Sequence, residues 1–301
     1  MQPLVAEAER DGRRERLLEA ENDVLRLIID QAPLPAVLTQ LVRMAEQHGS
    51  AGLLASILLL DEDGVHLRHG AAPTLAEGYN RAIDGIEIGP SVGSCGTAAF
   101  RGEPVVVTDI ANDPLWADFK DLAALHGLRA CWSTPIMSSR GQVLGTFALY
   151  YRRPTEPPAE DELIVQLLTR TAALAIERHR AESHLAETQE RFLALGRSLP
   201  VGAFTTDTLG SFSYVNPRFQ EMSGYNFEKT VEYWLQNAVV PERRAQVVAL
   251  WQDRASKRME FDSEFPITVE GQGRVLRMRA APMRSAAGAH IGYVGTVELS
   301  R

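Results

Sequence analysis

A short stretch rich in glycine, hydroxyl and thiol groups, residues 89–100, carries the side chains best suited to chemistry. It reads Gly-Pro-Ser-Val-Gly-Ser-Cys-Gly-Thr-Ala-Ala-Phe, with four helix breakers in its first eight residues. This pattern predicts a tight loop that leads into a helix N-terminus, where glycine allows a close approach of the backbone to a ligand. Ser94, Cys95 and Thr97 would offer hydroxyls and a thiol there, and a thiol near a helix N-terminus can have a lowered pKa.

Cys95 is the one residue with the credentials of a nucleophile, because no set of nucleophile, base and orienting group can be named elsewhere. The alternative is a buried and unreactive thiol, since cysteine is among the most buried residue types. His66 and His69 have a spacing that resembles a metal site, but residues three apart on a strand point to opposite faces. We therefore predict no metal site and no catalytic residue, and the chain is not expected to be an enzyme.

The elements that must position this loop follow it closely in the chain. A strand is predicted over 105–110, a capped turn over 112–116, a second strand over 130–136 and a hairpin centred on Gly141. Ahead of the loop, two apolar runs over 53–60 and 65–71 flank an Asp-Gly turn, which is a strong hairpin signal.

These motifs together resemble a bacterial GAF domain. The matching residues are the Gly-Ser-Cys-Gly-Thr-Ala-Ala loop, Asp109-Ile110, Asp113-Pro-Leu-Trp116, Trp132-Ser-Thr-Pro-Ile136 and Gly145-Thr-Phe-Ala-Leu149, within about 34–178. The resemblance implies an antiparallel sheet with helices on one face and a small-molecule cup on the other. It makes candidate ligand-binding residues of Ser94, Cys95, Thr97, Asp109, Trp116, Phe119, Trp132 and Ser133, although the same residues could simply form the core and hold the loop.

Known GAF ligands and activities match this sequence only in part. Free methionine-R-sulfoxide reductases use cysteines around a similar turn, but they have three, and only Cys131 could partner Cys95 here. Linear tetrapyrroles attach to a cysteine that often precedes histidine, whereas Trp132 follows Cys131. The cyclic-nucleotide signature is also unmatched, so the ligand stays unknown, with no support for a bilin or a cyclic nucleotide.

A second set of motifs, within about 188–298, resembles a PAS domain. The matching residues include Asp207, Gly210, Tyr214-Val-Asn-Pro217, Ser223-Gly-Tyr225, Trp234, Trp251 and Gly292-Tyr-Val-Gly-Thr296. The resemblance implies a five-stranded antiparallel sheet with short helices over one face, and pocket candidates Phe204, Tyr214, Phe219 and Tyr225, which could equally be ordinary core. Residues 190–301 contain no cysteine for a flavin photoadduct, and His290 is their only histidine, so neither that flavin nor haem is supported.

Two amphipathic helices complete the organisation. Apolar positions at three-and-four spacing over 9–32 predict a coiled-coil-like N-terminal helix. A longer pattern predicts a connecting helix over 159–197 that joins two domains and two protomers, with a softer middle. Its dimer and transmission positions are Ile164, Leu167, Leu174, Leu185, Phe192 and Leu195.

Composition bounds the remaining possibilities. The chain has 301 residues with 45% hydrophobic content, enough for two domains with cores of their own. Its net charge of −8 argues against nucleic-acid binding, and its longest apolar run is too short for a bilayer. Two cysteines and no secretory leader favour a cytoplasmic protein.

We therefore predict an α+β chain with an N-terminal helix at 1–33, a GAF domain at 34–158, the connecting helix at 159–197 and a PAS domain at 198–301. The architectures it resembles place such pairs ahead of histidine kinase or cyclic-di-GMP enzyme domains. The expected function is a homodimeric sensory module that passes a signal to such an output, in the same chain or a separate partner. The alternatives are a free-standing protein-interaction scaffold and a Cys95-dependent reductase.

Overall fold

The computed structural model describes residues 17–224, 230–269 and 271–300. The chain divides into two compact units, Met1–Ser183 and His184–Arg301. Each unit has its own antiparallel sheet, and the 40-residue helix α6, Ala159–Ser198, contributes residues to both. The predicted α+β class, with two antiparallel sheets, a long helix and an N-terminal helix, is confirmed.

The first unit contains a six-stranded sheet in which all neighbouring strands pair antiparallel, in the order β3-β2-β1-β6-β5-β4. The central strands β1, β6 and β5 are buried for most of their length, as a sheet covered on both faces requires. The strands are β1 Leu54–Leu60, β2 His66–Ala71, β3 Ile86–Glu87, β4 Val105–Val107, β5 Ala130–Met137 and β6 Val143–Tyr151.

One face of this sheet is covered by helices α1 (17–29), α2 (Leu34–His48) and the first part of α6. Their apolar positions at three-and-four spacing form one core with the sheet. Asp161, in the first turn of α6, is buried and accepts hydrogen bonds from Ser50 N at 2.9 Å and from the Tyr151 hydroxyl. These bonds attach the start of α6 to the sheet.

The opposite face carries shorter elements, namely α3 (Glu77–Ile83), α4 (Gly93–Arg101), a 3-10 turn (Pro114–Trp116) and α5 (Lys120–Leu125). Helix α4 begins at Gly93, whose φ of 54° lies in the left-handed region that favours glycine. The Asp113 carboxylate caps the 3-10 turn by accepting from Leu115 N at 2.9 Å. Both faces of the sheet therefore carry helices, whereas the resemblance implied helices on one face only.

The second unit contains a five-stranded antiparallel sheet in the order β8-β7-β11-β10-β9, with three helices packed against it. Its strands are β7 Gly202–Thr206, β8 Phe212–Val215, β9 Phe261–Val269, β10 Gln272–Arg284 and β11 His290–Leu299. Its helices are α7 Pro217–Ser223, α8 Val231–Ala238 and α9 Pro241–Ser256. The predicted sheet of five strands is confirmed.

Buried Asn216 joins the end of α6 to this second sheet. Its amide nitrogen donates to Gly196 O at 2.8 Å and to Val201 O at 2.9 Å. Its amide oxygen accepts from Ala203 N at 2.7 Å and caps α7 by accepting from Phe219 N at 2.8 Å. One side chain therefore fixes the helix end, the first strand and the start of α7.

Among the described residues, no helix combines the length and the apolar character that crossing a bilayer requires.

Candidate functional site

A small cavity lies on the face of the first sheet that carries α3, α4 and α5. Its volume is about 20 Å³, room for about one water molecule. Ser94 and Cys95 of α4 lie against it, and Tyr150 of β6 forms part of its floor. The full lining is Leu58, Tyr79, Ile83, Ile86, Val92, Gly93, Ser94, Cys95, Trp116, Phe119, Leu122 and Tyr150.

Ser94 connects three parts of this wall. Its hydroxyl donates to Cys131 O on β5 at 3.0 Å and accepts from Trp116 Nε1 at 3.0 Å. Both side chains are buried, so the bonds are shielded from water. Thr97 supports the same loop from within, because its Oγ1 accepts from Val92 N at 3.0 Å.

Cys95 lies between the cavity and a buried group of polar side chains on the sheet. Its Sγ is 3.7 Å from the Tyr150 hydroxyl, and Tyr150 is the cross-strand neighbour of Cys131. The Cys131 thiol and the hydroxyls of Ser133 and Thr146 are near enough to Cys95 to act on its pKa. Both cysteines are free thiols.

These neighbours give the two thiols different acidities. The Cys131 thiol, with weaker help from the Ser133 and Tyr150 hydroxyls, lowers the pKa of Cys95 to about 7 although burial opposes the charge. Burial raises the pKa of Cys131 well above its ordinary value, and the negative charge that Cys95 would carry raises it further. Cys95 is therefore the first thiol of the pair to ionise.

Comparison with known families assigns both units. Residues 31–177 match the GAF domain family, and residues 190–298 match the PAS fold. This chain contains a GAF domain followed by a PAS domain. Such pairs occur in the sensory regions of signalling proteins, as the resemblance implied.

A relative from Methanosarcina acetivorans, a methyl sulfide methyltransferase-associated sensor, is 34% identical over 231 residues. The match covers 73% of this chain but only 23% of that protein. Free methionine-R-sulfoxide reductase from Neisseria meningitidis, solved with its substrate, is 19% identical and covers 56% of this chain and 91% of its own, with a TM-score of 0.43.

The N-terminal domain of a diguanylate cyclase with a PAS/PAC sensor, from Marinobacter aquaeolei, is 16% identical. It covers 33% of this chain and 94% of its own, with a TM-score of 0.30.

The GAF cavity contains four of the eight residues predicted for it, namely Ser94, Cys95, Trp116 and Phe119. Thr97 and Ser133 are buried behind the lining. Asp109 lies at the surface, where hydrogen bonds from Asn112 and Arg129 lower its pKa. Ligand contact by any of the eight stays a prediction.

Trp132 lies on the face of the GAF sheet that α1, α2 and α6 cover, away from the cavity. It packs on Tyr151 with ring centroids 4.5 Å apart and belongs to the core that α1, α2 and α6 complete. Adjacent strand residues point to opposite faces, so Trp132 and Ser133 could not both face the cup.

The predicted PAS pocket residues occupy an aromatic core. Phe204 and Phe219 are fully buried against Phe212 and Trp234, with ring centroids between 5.2 and 6.4 Å apart. Tyr214 packs on Phe192 of α6 at 5.0 Å, and Tyr225 lies outside the described residues.

A separate open groove of about 460 Å³ lies elsewhere on the PAS domain. It is lined by Thr208, Leu209, Gly210, Thr230, Glu232, Trp251, Gln252, Ala255, Ser256, Arg258, His290 and Tyr293.

Two tyrosines that sequence reasoning missed contribute to the GAF site. Tyr79 and Tyr150 are buried with an edge-to-face ring contact at 5.9 Å, and burial raises the pKa of both. Tyr150 also shares a 3.2 Å hydrogen bond with the Ser56 hydroxyl. Alternation along β6 could have placed Tyr150 on the cup face, since Ala148 and Tyr150 alternate with Phe147 and Leu149.

Proposed function

We propose that this chain is the sensory part of a signalling protein. A small molecule in the GAF cup would favour one arrangement of the dimeric helices, and those helices would pass the signal to an output outside this chain. The family assignment and the sensor named among its relatives support this proposal. A histidine kinase or a cyclic-di-GMP enzyme domain is the proposed output, in the same chain or in a partner, and the cytoplasm is the proposed location.

The observation that carries the proposal is the GAF cavity beside the Cys95 thiol. Ser94 joins helix α4, the 3-10 turn and strand β5 at its wall, so a molecule that enters would act on all three. The rim includes Phe119 and Leu122, which are only half-buried. A ligand larger than water would have to displace this rim, and it would stabilise the open arrangement by its difference in affinity for the two states.

Transmission rests on the last part of α6. From residue 181 to residue 192 every side chain is exposed, including Leu185, which is 69% exposed. A helical stretch without tertiary packing is only marginally stable in water. Pairing of α6 with the same helix of a second chain would cover Leu185 in this stretch and the exposed Leu174 and Leu195 on either side of it. Ile164 belongs to the core of its own GAF domain and would not take part.

A protein-interaction scaffold is the second candidate, and the PAS core favours it. The aromatic rings of Phe204, Phe212, Phe219 and Trp234 pack on one another where a PAS ligand was predicted. A PAS domain filled in this way would act through its surface. In that case the signal would be the binding of another protein.

A reductase is the third candidate, because Cys95 has a lowered pKa and lies against the cavity. The number of cysteines argues against it, since the reductases that the loop resembles have three cysteines and this chain has only Cys95 and Cys131. We therefore propose a non-catalytic role. Turnover of free methionine sulfoxide that disappears in Cys95→Ser would overturn that assignment.

The test is to purify the full chain from its own host, record its absorption spectrum, and identify what the denatured protein releases by mass spectrometry. The proposal predicts a stoichiometric small molecule that is lost in Trp116→Ala and retained in Trp251→Ala, which alters the PAS domain instead. No released molecule and a featureless spectrum above the aromatic band would contradict ligand sensing and favour the scaffold.

A further inference from the structure

The GAF site contains a pair of thiols that the proposed ligand-sensing role does not use. Cys95 and Cys131 come from different elements, α4 and β5, and both lie beside Tyr150, whose hydroxyl is 3.7 Å from Cys95 Sγ and which is the cross-strand neighbour of Cys131. The Ser94 hydroxyl bond to Cys131 O holds α4 against β5 directly beside the pair. The chain has no other cysteine, so each thiol has one possible intrachain partner.

The surroundings of the pair are built for a charged sulfur. Ser133 and Thr146 are at most 1% exposed, and their hydroxyls face Cys95. Neither hydroxyl has a well-formed hydrogen bond within the part of the chain that the structure describes. A buried hydroxyl without a partner is costly, whereas a thiolate or a sulfenate at Cys95 would accept bonds from both. The two hydroxyls therefore stabilise an anion at this position more than a neutral thiol.

Access to Cys95 is limited by size. The thiol is 7% exposed and lies against the cavity of about 20 Å³, which admits a molecule close to the size of water. Hydrogen peroxide has only two heavy atoms, while branched hydroperoxides and glutathione disulfide are much larger. The cavity would therefore select the smallest oxidant.

We infer that Cys95 and Cys131 form a peroxide-oxidised thiol pair, in which Cys95 reacts and Cys131 closes an intrachain disulfide. In the first step the Cys95 thiolate attacks one peroxide oxygen, the O–O bond breaks, and sulfenic acid and hydroxide form. Sulfur loses two electrons and peroxide gains them. In the second step the Cys131 sulfur displaces the sulfenic oxygen, which leaves as water with the Cys131 proton, and the S–S bond forms.

This modification would act on the cup of the proposed function. A bond between the cysteines would tie α4 to β5 and change the cavity wall, since Cys95 lies against the cavity and Cys131 is on β5. The oxidation is measured on the cysteine peptides and needs no bound ligand. A protein that releases no ligand can still form the disulfide, and a protein that releases a ligand can fail to form it, so the two proposals can fail independently.

The test treats the folded full chain with hydrogen peroxide, blocks the remaining thiols, and maps peptides by mass spectrometry without reduction. The expected product has lost two hydrogen atoms and contains the Cys95 and Cys131 peptides linked to each other. In Cys131→Ser, Cys95 should stop at sulfenic acid and be trapped by dimedone. In Cys95→Ser, Cys131 should stay reduced.

A parallel reaction uses tert-butyl hydroperoxide, which should oxidise the folded chain at least about tenfold more slowly than hydrogen peroxide, a difference of about 1.4 kcal/mol in barrier. After denaturation, the ratio of the two rates should fall to that of a small free thiol. Absence of the linked peptide in the wild-type chain, separate oxidation of the two cysteines, or the same rate ratio before and after denaturation would overturn the inference.

Discussion

At the scale of single residues, Ser94 decides the shape of the GAF cup. It accepts from Trp116 and donates to the backbone of β5 while fully buried, so each bond replaces one that water would otherwise supply. The geometry of the cup at this point does not depend on charge. It depends on one hydroxyl that serves as donor and acceptor together.

Substitution Ser94→Ala should destabilise the GAF domain by about 1–3 kcal/mol, because it leaves Trp116 Nε1 and Cys131 O buried without this partner. Amide exchange of β5 peptides in the full chain measures the free energy of opening. Ser91→Ala is the matched control, since Ser91 is exposed and the hydroxyl bond that it makes among the described residues is 3.4 Å long. Equal exchange in both variants would contradict the structural role of Ser94.

The reactivity of Cys95 should depend on pH with a midpoint of about 7. The titratable groups that face it are Cys131, Tyr79 and Tyr150, whose raised pKa values keep them neutral over this range. The thiolate fraction, and with it the oxidation rate, should rise about tenfold per unit below the pKa and level off above it. Rates of disulfide formation at fixed peroxide concentration measure this. An ordinary thiol has a pKa of about 8.5. A rate that keeps rising up to that pH would contradict the lowered pKa of Cys95.

At the scale of elements, α6 is anchored at both ends by buried polar side chains. Asp161 attaches its first turn to the GAF sheet, and Asn216 attaches its last turn to the PAS sheet. Between these anchors, every side chain from residue 181 to residue 192 is exposed, and Phe192 packs on Tyr214 at the PAS end. A helix held at its ends and uncovered in between can carry a shift from one end to the other.

Replacement of Asn216 by alanine should destabilise the PAS domain by at least about 2 kcal/mol, because it removes a helix cap and leaves buried backbone groups unpaired. Faster amide exchange in β7 and at residues 193–198 is the expected result. Asn237→Ala is the control, since exposed Asn237 bonds only to its own helix. Unchanged exchange in Asn216→Ala would show that the anchor is dispensable.

The sequence predicted the elements with strong local signals and missed those without. The glycine loop, the hairpin at residues 61–64 and the long helix all have distinctive patterns, and the structure contains each. Helix α3 went unpredicted because only Tyr79 and Ile83 of its seven residues are buried. The lining of the cup was predicted only in part. Asp109 and Trp132 both match the motifs, but Asp109 lies at the surface and Trp132 lies on the sheet face that α1, α2 and α6 cover. Which face a motif residue occupies depends on strand register, which a motif does not state.

At the scale of the whole molecule, the proposed signal needs a cup that changes shape and a helix that pairs with a second copy. Its GAF and PAS domains have separate cores, so a change in one must reach the other through the chain itself or through a partner. The account therefore depends on a homodimer in which the exposed part of α6 is covered. Without it the transmission step has no physical basis.

A charge on the exposed leucine stripe of α6, formed by Leu174, Leu185 and Leu195, should break this dimer. Leu185→Glu places a carboxylate where two copies would bury leucine, and an unpaired buried charge is strongly unfavourable. Ser183→Glu adds the same charge two residues earlier, about 200° around the helix, and should have little effect. Loss of the dimer in both variants would mean that any added negative charge breaks it, and would not show that Leu185 lies in the interface.

Sedimentation equilibrium of the full chain, with these two variants alongside, tests the central claim most directly. The account predicts twice the mass of one chain for the wild type and for Ser183→Glu, and a single chain mass for Leu185→Glu. A wild-type monomer at every concentration, or a dimer that Leu185→Glu leaves intact, would contradict signalling through paired α6 helices.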